Sequence, residues 1–251
     1  MTAYNPYSLE GKTILITGAS SGIGKATAIE CSRLGAKCVI TGRNVDRLND
    51  TFFQLEGEGH QQIIADLAIQ EGIDAIVEAA PVLDGLVANA GYTHTSPISF
   101  IKEEPLKGVL QVNTISSILL LKSLLKKKKL IKGSSVVYTC SLAGLGRVSV
   151  GNSMYAASKG AIHAFAKAAA NELAEKMIRV NTVCPAMVDT GILDAGIITQ
   201  EQLEANKLQY PLKRYGRPEE IAWAIIYLLS NAAEWVTGID IIIDGGKSLK
   251  Y

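Results

Sequence analysis

Seven short runs of mostly β-branched and apolar residues recur along the 251-residue chain: TILIT (13–17), KCVIT (37–41), QIIAD (62–66), GLVAN (85–89), SVVYTC (135–140), IRVNTVC (178–184) and IDIIID (239–244). The segments between them carry apolar residues near the helical period: GIGKATAIECSRLG, NVDRLNDTFFQLEGEG, VLQVNTISSILLLKSLLKKKK, YAASKGAIHAFAKAAANELAEK and RPEEIAWAIIYLLS. A segment between the third and fourth runs, IQEGIDAIVEAAPVL, is shorter and broken by Pro81, which predicts an abbreviated helix there. Strands that are apolar throughout cannot leave one face in water, so both faces of the sheet must be covered by helices, and such sheets are parallel. Right-handed crossovers then make the fold doubly wound, with ligands bound beyond the carboxyl ends of the strands. One such α/β domain accounts for residues 1–251.

Bulk charge narrows the ligands. With 25 basic and 24 acidic residues the net charge is +1, so no long-range field draws the chain to nucleic acid or to an anionic membrane. The opening MTAYNPYSLEGK lacks the layout of a secretory leader, and the most apolar run, ISSILLLKSLL, is short and carries Lys122; a cytoplasmic location is expected. Cys31, Cys38, Cys140 and Cys184 show no metal-type spacing and are too few for a disulfide framework. The KKKK run (126–129) reads as a solvated helix end, where cations face the negative pole of the dipole.

The stretch TGASSGIG (17–24) follows the first strand and opens the first helix. Glycines there let backbone amides approach a pyrophosphate lying at the helix start. The second strand ends in TGRN, with Gly42 where an NAD site places a carboxylate for the ribose 2′-hydroxyl, and Arg43 next to it. A guanidinium without a competing carboxylate attracts a 2′-phosphate, so NADP(H) is expected over NAD(H), which remains possible.

In YAASK, Tyr155 and Lys159 are one helical turn apart and share a face. A free phenol ionises near pH 10, and a neighbouring ammonium favours the phenolate, so the pair reads as a tuned acid/base. Ser141, at the carboxyl end of the preceding strand, is placed to hydrogen-bond a substrate oxygen.

Together these motifs resemble the short-chain dehydrogenase/reductase family over essentially the whole chain. TGASSGIG matches its T-G-x-x-x-G-x-G loop, ANAG (88–91) its N-N-A-G turn, QVN (111–113) its helix asparagine and YAASK its Y-x-x-x-K. The resemblance implies hydride transfer between nicotinamide C4 and a carbonyl carbon. It casts Tyr155 as the catalytic acid/base, Lys159 as the group that lowers its pKa and holds the ribose, Ser141 as the carbonyl-polarising residue and Asn113 as holder of a relay water. It further implies cofactor contacts from Gly18, Ser20, Ser21, Gly22, Ile23 and Gly24, from Asp66 and Leu67 at the adenine, from Asn89, Ala90 and Gly91 along the ribose path, and from Pro185, Val188 and Thr190 at the nicotinamide.

The chain departs from the family in having Ala88 for the first asparagine of N-N-A-G and Ala186 for the glycine after Pro185. The second change is expected to alter the turn beside the nicotinamide. Residues 191–214 occupy the family's substrate loop, and their sequence leaves the pocket's chemistry open. The carboxyl-terminal segments look most like the 3-oxoacyl-carrier-protein reductase branch, which implies a homotetramer and a thioester substrate. Lys132 and Lys176 fall near positions that dock the acyl carrier protein in that branch. Two alternatives stay open: a dehydrogenase of another secondary alcohol (sugar, polyol or steroid) and a non-catalytic cofactor sensor. All four cysteines are expected to be small buried hydrophobes with inert thiols; the alternative left open is that Cys140 and Cys184, each directly preceding a site residue on strands expected to be neighbours, make activity sensitive to oxidation.

Overall fold

The computed structural model describes residues 4–190 and 199–249. Its strands are β1 (Thr13–Thr17), β2 (Lys37–Gly42), β3 (Gln61–Ile64), β4 (Leu83–Ala88), β5 (Leu130–Thr139), β6 (Arg179–Pro185) and β7 (Asp240–Ile243). They form one sheet in the order β3-β2-β1-β4-β5-β6-β7, and every pair in it is parallel. The direction of winding reverses between β1 and β4, the switch point where a doubly wound sheet opens a crevice.

Among the described residues, eight α-helices accompany the sheet: α1 (Gly22–Arg33), α2 (Val45–Phe52), α3 (Gln70–Ala79), α4 (Glu103–Leu110), α5 (Ser116–Lys126), α6 (Ser153–Leu173), α7 (Gln200–Lys207) and α8 (Pro218–Leu229). Alternation along each strand divides the apolar side chains between two cores. Leu15, Leu86, Val136 and Val180 face α3, α5 and α6, while Ile14, Ile16, Val87 and Val137 face α1 and α8. Each such side chain withdrawn from water contributes about 1.5–3 kcal/mol.

Two helices differ from their sequence patterns. The second stops at Phe52, because Gly57 and Gly59 beyond it take left-handed backbone that a helix cannot continue through. The fourth begins upstream, at Glu103, and is interrupted by a π-helical turn at Gln111–Ile115 before resuming as α5. The stretch Glu103–Lys126 is long and apolar enough to cross a membrane, but Val109, Leu120, Leu121 and Leu124 are spent on the protein's own core. The third helix ends at Ala79, two residues before Pro81, as expected.

Candidate active site

The crevice floor is built around one hydroxyl. At the end of β1, Thr17 Oγ1 accepts from the backbone N–H of Asn89 (3.0 Å) and of Ala90 (3.1 Å) and donates to Val87 O (3.3 Å). The Asn89 amide nitrogen donates back to Thr17 O at 3.1 Å. The exits of β1 and β4 are thus sewn together across the switch point. Gly18 turns the chain with φ +67°, and a Cβ on it would stand 2.8 Å from Ala90 Cα. A Cβ on Gly24 would overlap the Gly18 carbonyl oxygen, so only glycine lets α1 start this close to β1.

Ser21, the N-cap of α1, is extended and makes no side-chain cap, which leaves the first N–H groups of α1 without a side-chain acceptor. Those donors, together with Gly18, Ser20, Gly22 and Ile23 around them, fit the anionic centre of a dinucleotide. Next to them, Gly42 closes β2 against the Ser20 side chain and Arg43 stands exposed.

At the exit of β3, Asp66 spends a carboxylate oxygen on the Ala68 N–H (2.9 Å) and Leu67 turns its side chain into the core. Asn89 and Ala90 likewise serve the floor, and a Cβ on Gly91 would stand 3.0 Å from Asn113 Oδ1 and 3.5 Å from Lys159 Nζ. Gly91 therefore lets the turn after β4 close against Asn113 and Lys159.

Asn113 lies in the π turn, buried, and both its amide hydrogens are used: Nδ2 donates to Tyr92 O (2.9 Å) and Ser158 Oγ (3.0 Å), while Oδ1 accepts from Tyr92 N (2.9 Å). Ser141 caps the short 3-10 turn Leu142–Leu145, its Oγ accepting from Ala143 N at 3.2 Å. Tyr155 and Lys159 share one face of α6, with Lys159 Nζ 5.8 Å from the Tyr155 ring centroid. The Lys159 ammonium is buried and donates to Thr139 O at 2.6 Å.

The phenol departs from the sequence expectation. Burial pushes Tyr155 up to about 12, against the opposing pull of a hydrogen bond with Ser141 and with Cys140 acting in the same direction as burial. The ammonium is bound to the Thr139 carbonyl rather than to the phenol oxygen, and burial pushes its own pKa down.

Past Pro185, the last residue of β6, Ala186 donates its N–H to Ile243 O at 3.1 Å. It takes ordinary negative-φ backbone, so the missing glycine leaves this turn unstrained. Val188 packs its side chain into the core and pairs with Gly216. Thr190 reaches over the start of α1: its Cβ lies 3.1 Å from where a Gly22 side chain would begin. The substrate loop contains α7, while 191–198 lie outside the described residues.

Lys132, near the start of β5, and Lys176, beyond the end of α6, are at the opposite edge of the sheet from Ser141 and Tyr155. β5 is irregular between Leu130 and Ser135, so Leu130 to Tyr138 spans the same stretch as Leu83 to Ala88 of β4, about 17 Å. The Thr17 bracket and the π turn have no signature that residue spacing alone would reveal, and Tyr92 enters the site through its backbone, to which sequence patterns are blind.

A nucleotide-binding crevice at the switch point, flanked by Ser, Tyr and Lys on β5 and α6, defines a dinucleotide-dependent oxidoreductase. Comparison with known proteins agrees. The family model described as Enoyl-(Acyl carrier protein) reductase matches residues 18–248. A 3-oxoacyl-[acyl-carrier-protein] reductase of Rickettsia felis is 33% identical over 238 residues, covering 95% of this chain and 97% of that protein. A glucose 1-dehydrogenase of Gluconobacter oxydans is 34% identical, covering 95% and 92%. Among solved structures, a short-chain type dehydrogenase/reductase from Mycobacterium marinum superposes with a TM-score of 0.86 at 29% identity, covering 97% of this chain and 98% of that one. A protein from Beutenbergia cavernae, assigned as an NAD(P)-dependent gluconate 5-dehydrogenase and solved with NADP at low occupancy, gives 0.86 at 28%, covering 98% and 100%. The chain belongs to the short-chain dehydrogenase/reductase family.

Proposed function

We infer that the protein is an NADP(H)-dependent reductase of carbonyl compounds, with 3-oxoacyl thioesters as its substrate class and the corresponding secondary alcohols as products. The observation that carries this reading is the convergence of Ser141, Tyr155, Lys159 and Asn113 beside a glycine cradle that fits a dinucleotide. A bound nicotinamide dinucleotide supplies a hydride to the carbonyl carbon. Ser141 and Tyr155 hold the carbonyl oxygen, and Tyr155, kept protonated by its burial, donates the phenolic proton to that oxygen as negative charge develops. Lys159 lies beside Gly91, where its ammonium would hold the ribose hydroxyls of the dinucleotide. Asn113 spends both amide hydrogens on Tyr92 O and Ser158 Oγ, so a relay water near it would be held as a donor to Oδ1, which accepts only one hydrogen bond, or by the backbone of the widened π turn.

The substrate class is supported by the rim. The loop after β4 and the loop before α6 are tied by Ser96 N to Gly151 O (2.8 Å) and Thr93 Oγ1 to Asn152 Oδ1 (2.9 Å). They present Ile98, Phe100, Val148 and Val150 exposed beside the catalytic edge. Apolar side chains suit an acyl chain better than a sugar. The glucose dehydrogenase relative keeps polyol oxidation as the second reading. Self-association is part of the proposal: the exposed alanine face of α6 (Ala157, Ala161, Ala164, Ala168) and the open edge of β7 suit other copies of the chain, up to a homotetramer.

The test is NADPH and NADH oxidation with acetoacetyl-CoA. Turnover with NADPH, reduced about 100-fold or more by Tyr155→Phe, is the expected outcome. Arg43→Ala is expected to weaken NADPH about tenfold and leave NADH unchanged, since a charge-assisted hydrogen bond contributes about 1.5–3 kcal/mol. Turnover of glucose or gluconate without turnover of the thioester would move the assignment to the second reading.

A further inference from the structure

Two buried cysteines flank the catalytic edge. In the β5–β6 register Thr139 pairs with Val183, so the next residues, Cys140 and Cys184, are lateral neighbours. Cys140 N also donates to Val183 O at 2.8 Å, which carries the pairing past the formal strand end. Neighbours in a parallel register point to the same face. Cys140 Sγ reaches Lys159 O on α6 at 3.3 Å, and Cys184 Sγ reaches Thr182 Oγ1 at 3.4 Å. Thr182 in turn donates to Asp240, which binds His163 and Lys167 of α6, so both thiols lie on the α6 side. Strands about 4.8 Å apart place such Cα atoms within the 4.4–6.8 Å window that a disulfide spans.

We propose that Cys140 and Cys184 form a hydroperoxide-sensitive dithiol that switches the site off by closing a disulfide across β5 and β6. This rests on the proposed roles of Ser141 and Lys159. In the first step the Cys140 thiolate attacks one peroxide oxygen and the O–O bond breaks. The product is Cys140 sulfenic acid, and the departing oxygen leaves as water after taking up protons. In the second, the Cys184 sulfur attacks the Cys140 sulfur, the S–O bond breaks and a second water leaves carrying the Cys184 proton. The sum is two thiols and one hydroperoxide giving one disulfide and two waters (one alcohol and one water for an organic hydroperoxide).

The attacking thiol is Cys140. A hydrogen bond from Cys184 draws it down to about 7, with the Lys159 ammonium pulling the same way against burial. Cys31 and Cys38, also buried, provide an internal contrast: burial pushes both thiols up, and no cation offsets it. Closing the bridge draws Cys140 toward β6. It breaks the contact with the Lys159 carbonyl and displaces Ser141, the next residue along the chain.

The experiment is brief exposure to hydrogen peroxide, followed by peptide mapping under non-reducing conditions and a parallel turnover assay. Expected are a linked Cys140–Cys184 peptide, Cys31 and Cys38 still as thiols, at least tenfold loss of turnover, and recovery with dithiothreitol. Cys184→Ala, which cannot close the bridge, is expected to show no such recoverable loss. A linked peptide with unchanged turnover would overturn the switch, as would the same recoverable loss in Cys184→Ala or loss of turnover with no linked peptide. Absence of turnover in the reduced, unexposed protein with every substrate would instead count against the proposed function, while the mapping would still decide whether the dithiol closes.

Discussion

Among the described residues, three other than glycine hold left-handed backbone: Lys128, Met177 and Lys213. Lys128 follows the end of α5, where Lys128 N donates to Leu125 O and Lys129 N to Leu124 O, so it occupies a position that usually falls to glycine. A side chain there costs about 1–2 kcal/mol, part of which glycine returns as chain entropy in the unfolded state. Lys128→Gly is therefore expected to stabilise the protein by about 0.5–1 kcal/mol, raising Tm by about 2 °C in a thermal melt. Lys127→Gly, at φ −87°, is expected to lower Tm instead. In the sequence all four lysines of 126–129 look alike, and periodicity shows only that a helix ends among them. The same limit applies at Tyr155 and Lys159. Their spacing gives the shared face, but the direction of the phenol's shift depends on how deeply the ring is buried and on where the ammonium points, and neither is written in a five-residue motif.

Among the elements, the strands were the most legible, because runs such as TILIT have consecutive apolar residues facing both ways between two threonines and only a sheet covered on both sides accepts them. Helix α8 was legible for a different reason: Pro218 sits in its first turn and its apolar residues keep one period throughout. The interrupted helix was not. QVNTI has no breaker, and the π turn comes from long-range bonds that Asn113 makes to Tyr92 and Ser158. Removing one residue from this turn, such as Val112, would restore a regular helix between α4 and α5 and abolish the widened turn that presents Asn113. The expected result is a folded protein with near-native helix content by circular dichroism and at least tenfold lower turnover. Unchanged turnover would show that the wide turn is incidental.

Across the whole molecule, charge is spread unevenly in its effect on stability. Glu220 receives both guanidinium nitrogens of Arg214 at 2.7 Å and is held down at about 2. Asp240 and Asp244 are also lowered: burial acts to raise each, but hydrogen bonds from Lys167, Thr182 and His163 outweigh it at the first and those from Ser248 and Gly246 at the second. A carboxylate whose folded pKa lies below its unfolded value stabilises the fold above the unfolded value, and that contribution disappears as pH falls through the folded one. All three lie between residues 214 and 249. Acid is therefore expected to loosen this carboxyl-terminal segment first as pH drops from about 4.5 toward 2, and hydrogen exchange of α8 and β7 should quicken before that of β1 and β4. Simultaneous loss of protection in all four elements would count against it.

The hydroxyl of Thr17 bears on the thermodynamics of ligand capture. With the two halves of the crevice already pinned, the floor has little freedom left to surrender when a dinucleotide arrives, and little ordering entropy is charged against the contacts formed. Affinity at this end of the site then reports the contacts themselves. Adaptability is left to segments built after the floor is complete, the rim loops and the α7 region, so the same rigid half can serve different substrates while the other half changes.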